Sequence, residues 1–204
     1  LFGAVSPEEI ELFTGTKNPK QRNRIYFYDS LQLKGDLAEI VRQVKGKRAF
    51  HGYKEPKMVV LDAKFGVKTQ IEHKSWQSEL EKHGINRIKL SRSNPGDVGL
   101  GHKVVKEYLK PHYSPLLSKE KPGMLFAKDG CGGDKGVIHS MFNYQWKVNT
   151  DKPEEKFKDF ADCVRYVAME QPLYISPQRE KEVETYLEDK MKKAMSQRRQ
   201  AVSP

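Results

Sequence analysis

The sequence predicts an α/β domain in which a mixed sheet is flanked by helices. Three observations lead there. Short apolar or aromatic runs, among them Arg24-Ile25-Tyr26-Phe27-Tyr28-Asp29 and Met58-Val59-Val60-Leu61-Asp62, alternate with stretches whose apolar residues recur at helical spacing. That alternation is the pattern of strands joined through helices. The run ending at Asp62 has little polar alternation, as expected of a central strand covered on both faces. Gly84, Pro95-Gly96 and Pro111 fall between the periodic segments, where elements end.

Residues 1–5 read as the rest of a strand. Ser6-Pro7-Glu8-Glu9-Ile10 reads as a short helical turn, with Ser6 as cap and Pro7 as first residue. Residues 14–23 form a polar loop before the strand at 24–29. Asp36 is placed to cap a helix through about Val44, because Leu37, Ile40, Val41 and Val44 recur on one face. The strand 57–61 comes next. A helix over 69–83 follows, and Gly84 stands where a left-handed cap is wanted. Then come a strand at 85–90, a Gly/Pro/Ser loop at 91–101 and a helix at 102–110 that stops at Pro111. A strand at 124–127 precedes a helix at 136–146, with Val137, Ile138, Met141, Phe142 and Trp146 directed inward. The last core helix covers 154–169. The domain is expected to occupy 1–176. Residues 177–204 form a basic, partly helical or disordered tail, with seven Lys/Arg against five Asp/Glu. It reads either as a frayed terminus or as a segment that docks on a partner.

With 204 residues, 37% hydrophobic and 31% charged, the chain suits one substantial domain plus a tail. Mean hydropathy is −0.77. No apolar run approaches the roughly 20 residues that span a bilayer, and Leu1-Phe2-Gly3-Ala4-Val5 has no basic stretch of the signal-peptide kind. The net charge of +10 favours polyanionic partners, nucleic acid before anionic membrane. A merely soluble basic protein fits the charge equally well. Cys131 and Cys163 are isolated, without zinc spacing, and fit a reducing compartment.

Three acids carry the candidate chemistry. Asp62 ends an apolar strand, where α/β folds place ligands; it equally suits a turn acid for the next segment. On the last helix, Phe157, Phe160, Ala161, Val164 and Ala168 form an apolar stripe, and Asp159 and Asp162 lie away from it. Periodicity alone makes these two exposed carboxylates, with Arg165 an ordinary surface partner of Asp162. If the fold unites Asp62 with Asp162, the pair suits a hard divalent cation, and two such ions hydrolyse phosphodiesters.

The strand 24–29, a helix, the strand ending at Asp62 and the late Asp-x-x-Asp helix come in the order of a known family. With Ile138-His139-Ser140-Met141-Phe142-Asn143-Tyr144-Gln145-Trp146, Lys152-Pro153 and Phe160-Ala161-Asp162-Cys163-Val164-Arg165-Tyr166, the chain resembles the nuclease domain of phage terminase large subunits. The resemblance implies an RNase H-like fold and cleavage of double-stranded DNA with Mg²⁺ or Mn²⁺, two ions in a complete site. It implies that Asp62 and Asp162 are catalytic metal ligands and that Asp159, where relatives often have histidine, is an auxiliary ligand. Residues 1–5 correspond to the family's second strand, so the first strand and its acid are expected to be missing from this chain, with Asp29 the nearby substitute. The implied partners are double-stranded DNA, the portal, the small terminase subunit and the motor's own ATPase domain. The implied setting is the cytoplasm of an infected host, without secretion or a membrane.

Two other readings stand beside it. Asp62-Ala63-Lys64 fits the (Asp/Glu)-x-Lys pattern of restriction-type nucleases, with Asp29 as second acid. A non-catalytic module that grips DNA or docks on the portal would need no metal. The basic residues Lys64, Lys68, Lys74, Arg92 and Lys103 are the candidate DNA contacts, through phosphates and without sequence preference; a solvated face is the alternative for them. Gly96 to Lys103 only mimics a P-loop, since His102 follows Gly101 where lysine is required.

Overall fold

The structure, a computed structural model, describes residues 1–13, 20–66, 75–91, 98–115, 118–150, 153–179, 181–182, 185–186 and 190. The chain divides into two units, Leu1–Pro172 and Leu173–Pro204. The first is mixed α/β, as the sequence predicts. Its elements are β1 (Phe2–Leu12), β2 (Lys20–Asp29), α1 (Leu37–His51), β3 (Val59–Leu61), α2 (Trp76–Lys82), β4 (Ile88–Leu90), α3 (Val98–Leu109), β5 (Pro111–Ser114), β6 (Lys119–Pro122), β7 (Met124–Phe126), α4 (Lys128–Cys131), α5 (Val137–Asn143) and α6 (Lys158–Glu170). The main sheet has the order β1-β2-β7, β1 antiparallel and β7 parallel to β2. Two further pairs stand apart from it: parallel β3-β4 and antiparallel β5-β6.

Several elements depart from expectation. The helical turn expected at Ser6 is part of β1, whose register shifts between Val5 and Glu9. Pro7 cannot donate to a ladder and sits at this irregularity, while Ser6 Oγ accepts the Glu8 N–H at 3.0 Å. The strand expected to be central at 57–61 is only the three half-buried residues of β3, paired with β4 alone. Asp62 ends it: its carbonyl accepts the Phe65 N–H at 3.0 Å and starts the 3₁₀ turn Ala63–Gly66. Asp36 caps α1, its side chain accepting the Glu39 N–H at 2.9 Å, but the helix runs on through Gly46 to His51. Gly84 has φ 77°, the left-handed backbone predicted for it. Helix α2 starts at Trp76 behind a Ser75 capping box; residues 69–74 of the expected helix lie outside the described residues.

The core joins the main sheet to α3 and α6. Ile10, Leu12, Ile25, Phe27 and Met124 of the sheet meet Val104, Val105 and Tyr108 of α3 and Phe160, Val164 and Ala168 of α6. Beneath it lies Arg24, fully buried. Its guanidinium pairs with Glu8 at 2.9 Å and donates to the carbonyls of Lys121, Pro122 and His112. One cation thereby ties the β5-β6 hairpin, which the sequence did not announce, to the edge of the sheet. A buried charge is tolerable only with such partners.

Helix α3 begins at Val98, four residues before the predicted start, so Gly99 and Gly101 are helical. A Cβ on Gly101 would stand 2.7 Å from both Cγ and Cδ of Arg165. Glycine lets α3 and α6 approach. Helix α5 ends at Asn143, and Phe142 (87% exposed) and Trp146 (45% exposed) point outward, against the inward placement predicted from helical spacing. Trp146 lies beyond the end of the helix, where the period no longer applies, and Phe142, still helical, falls off the face that buries Val137 and Ser140.

In the second unit Ser176 Oγ accepts the Arg179 N–H at 3.2 Å, and the Lys190 ammonium lies 5.1 Å from the centre of the Tyr186 ring. Val183, Leu187 and Met191, whose spacing of four suggests the helical part of the tail, lie outside the described residues. Among the described residues no helix is long and apolar enough to cross a membrane.

Candidate active site

Asp62 leaves the carboxyl end of β3, held by the Ser91 N–H on the Leu61 carbonyl at 2.7 Å. Helix α6 approaches from the other side. Its buried Phe160, Ala161, Val164 and Ala168 seat it on the core and fix the opposite face. On that face Asp162 and Tyr166 stand one turn apart, and the Tyr166 hydroxyl donates to Asp62 Oδ2 at 2.7 Å. Asp62 Oδ1 accepts the Lys64 N–H at 3.1 Å, and Lys64 Nζ lies 3.4 Å from Oδ2. The entry to α6 is strained. Phe157 has φ 67°, rare for a bulky residue, with its ring 5.2 Å from that of His139.

Asp162 Oδ1 accepts two hydrogen bonds from Arg165, from Nε at 3.2 Å and Nη2 at 2.9 Å. This is not the surface pair that spacing suggests. Arg165 is 5% exposed, and its Nη1 is buried with no hydrogen-bond partner among the described residues. The guanidinium also lies 4.7 Å from the centre of the Tyr166 ring. On α3, His102 Nε2 and the Tyr144 hydroxyl are 3.0 Å apart, and the Trp146 ring meets the His102 ring edge-on at 5.3 Å.

The electrostatics follow from this packing. Burial pushes the Asp62 carboxyl up, but the Tyr166 hydroxyl and the Lys64 N–H and ammonium overcome it, so the group titrates below the usual carboxylate range. Burial, the hydrogen bond to Asp62 and the charges of Asp162 and Asp62 push Tyr166 upward, so it stays a donor. Burial, then the Arg165 charge, holds His102 below the ordinary histidine value, with Asp162 opposing. Burial raises the Cys163 thiol, and Asp162, Asp159 and Asp62 all add to the rise.

Of the predicted residues, Asp62 and Asp162 flank the same tyrosine. Asp159 is exposed in the first turn of α6. Lys64 sits against Asp62 with its side chain 70% exposed, and Lys103 is exposed on α3. Lys68, Lys74 and Arg92 lie outside the described residues. Asp29 belongs elsewhere. It is 3% exposed, pairs with Lys47 at 2.7 Å, and accepts from the Tyr53 hydroxyl at 2.9 Å and the Ser30 N–H at 2.7 Å. Its described contacts include neither Asp62 nor Lys64.

The donor set is of the right kind for a hard cation, carboxylate oxygens at a strand end and on a facing helix. It is short in number: among the described residues no three His, Cys, Asp or Glu side chains come together as a ligand group. Both carboxylates are already held, Asp62 by Tyr166 and Lys64 and Asp162 by Arg165.

The sequence assigns no site role to Tyr166, His102 or Tyr144, and presents Arg165 only as a surface partner of Asp162. Tyr166 was reachable: it is four residues beyond Asp162, on the same helical face. No protein-family model, curated protein or solved structure matches the chain.

Proposed function

We propose that this chain is a divalent-metal-dependent endonuclease domain of the RNase H-like type, cutting double-stranded DNA as part of a viral DNA-packaging motor. The observation that supports the reading is the hydrogen bond from Tyr166 to Asp62, which brings the strand-end acid to the helix that carries Asp162. Asp62 and Asp162 would hold Mg²⁺ or Mn²⁺, with Asp159 as an auxiliary acid. Such an ion, when bound, activates water and stabilises charge on the phosphate. Tyr166 orients Asp62 through its hydroxyl and, by its upward-shifted titration, remains protonated while doing so. Arg165 fixes the rotamer of Asp162. Lys64, mostly exposed beside Asp62, is placed to meet a phosphate oxygen. The portal, the small terminase subunit, an ATPase domain and the cytoplasm of an infected host belong to this reading as partners and setting.

One observation favours a second reading, a non-catalytic module that grips DNA or docks on the portal. Both carboxylates already carry cationic partners, and no third ligand joins them among the described residues. The restriction-type arrangement has less support, because Asp29 is buried and bonded to Lys47 and Tyr53. Calorimetric titration with Mn²⁺ separates the first two. Binding that disappears in Asp62→Ala and in Asp162→Ala supports the nuclease; DNA binding without metal binding supports the grip.

A further inference from the structure

Three aromatic rings step outward from the candidate site. Tyr144 and Trp146 both meet the His102 ring, at 5.4 and 5.3 Å. His102 in turn follows Gly101, which lies against the Arg165 side chain that holds Asp162. The segment carrying Trp146 is braced rather than loose: Trp146 bridges Pro153, and the Glu154 N–H donates to the Gln145 carbonyl at 2.9 Å. Yet 45% of Trp146 is exposed, as is 87% of Phe142 four residues earlier. An edge-on contact with His102 leaves indole surface uncovered.

The adjoining surface of α3 is basic. Lys103 and Lys106 are exposed beside His102, Lys106 one helical turn along the same face. Neither is ion-paired with a described residue, whereas Lys110, a turn further, is neutralised by Glu107 at 2.5 Å. An exposed indole set against a helix that carries lysines without an ion pair among the described residues suits unpaired nucleic acid: bases stack on the ring and lysines follow the phosphates. An intact duplex hides its base faces and has no use for the indole.

We propose that Trp146, with its ring against His102 of α3 and with Lys103 and Lys106 exposed on that helix, binds single-stranded DNA by stacking a base on the indole. As the route by which an opened strand reaches Asp62 and Asp162, this rests on the nuclease reading; as a binding face it is tested separately, without metal.

The chain has two tryptophans. Trp76→Phe leaves Trp146 as the only one, and Trp76 has its ring against Phe65, not against His102. Titrating that variant with oligothymidylate in EDTA is expected to quench the fluorescence saturably. By anisotropy of a labelled oligothymidylate, Trp146→Ala binds about tenfold or more weakly, and Trp146→Phe retains most of the affinity. Changing Lys103 and Lys106 to Gln flattens the plot of log affinity against log salt by about 0.7 per lysine. Unchanged fluorescence on saturation overturns the proposal. So does undiminished binding by Trp146→Ala, or equal quenching and affinity for blunt duplex. Because metal is absent, a chain that fails to cleave still reports on Trp146, and a chain that cleaves with Trp146 silent removes this proposal alone.

Discussion

The Tyr166 hydroxyl donates to Asp62 Oδ2 at 2.7 Å, joining the last core helix to the end of β3 across 104 positions of sequence. The contact ties Asp62 to the helix that carries Asp162. Tyr166→Phe keeps the ring under Arg165 and deletes only the donor, so the fold is expected to survive, with a loss of about 1 kcal/mol. The Asp62 carboxyl, no longer assisted, is expected to titrate closer to the usual carboxylate range. Carboxyl-carbon NMR titration of both proteins reads this directly, and an unmoved Asp62 midpoint would show that the hydroxyl does not tune it.

Gly101→Ala is expected to destabilise the domain by about 1–3 kcal/mol, the cost of overpacking. The new Cβ meets the middle of the Arg165 side chain, not its free end. Arg165 is buried and cannot swing aside without releasing Asp162. Urea denaturation measures the loss. The companion change Gly99→Ala, at a position with open space around its Cβ, is expected to cost nothing and to stabilise slightly through helix propensity.

The titration of His102 couples stability to pH. Its folded value lies below the unfolded one of about 6.5. Its contribution is therefore complete above that pH and is lost as pH falls through the folded value. Between about pH 6.5 and 5, before the carboxylates dominate, the urea midpoint is expected to fall. His102→Gln is expected to flatten this slope; an identical slope in the variant would assign it to another group.

Tyr108 is fully buried, and its hydroxyl has no hydrogen-bond partner among the described residues. Removing an unsatisfied polar atom without changing shape is favourable. Tyr108→Phe is expected to raise stability by about 1 kcal/mol, observed as a higher thermal midpoint. A lower midpoint would reveal a partner for the hydroxyl.

Local signals were legible where local physics decides. Asp36 reads as a cap and is one, and Gly84 reads as a left-handed stop and is one. The apolar stripe of α6 is buried as its spacing requires, and that stripe is what aims Asp162 and Tyr166 at β3. Tertiary packing overrode the local signal elsewhere. Gly99 and Gly101 look like loop residues, yet α3 needs glycine at 101 to approach Arg165. Ser6-Pro7 looks like a helix start, yet the ladder with β2 takes it. The β5-β6 hairpin has no apolar alternation in Lys119-Glu120-Lys121-Pro122 to announce it, because the buried guanidinium of Arg24 secures it instead. Arg165 looked like a surface residue from spacing and is buried against α3, a partner 64 positions away in sequence.

The nuclease reading is tested most directly by cleavage of supercoiled plasmid by the chain in Mn²⁺ and in EDTA, beside Asp62→Ala and Asp162→Ala. Metal-dependent nicking or linearisation by the unaltered chain is expected, with a fall of at least about a hundredfold in either variant, the scale on which loss of transition-state electrostatics is felt. Cutting that persists undiminished in both variants, or that proceeds equally in EDTA, would contradict it.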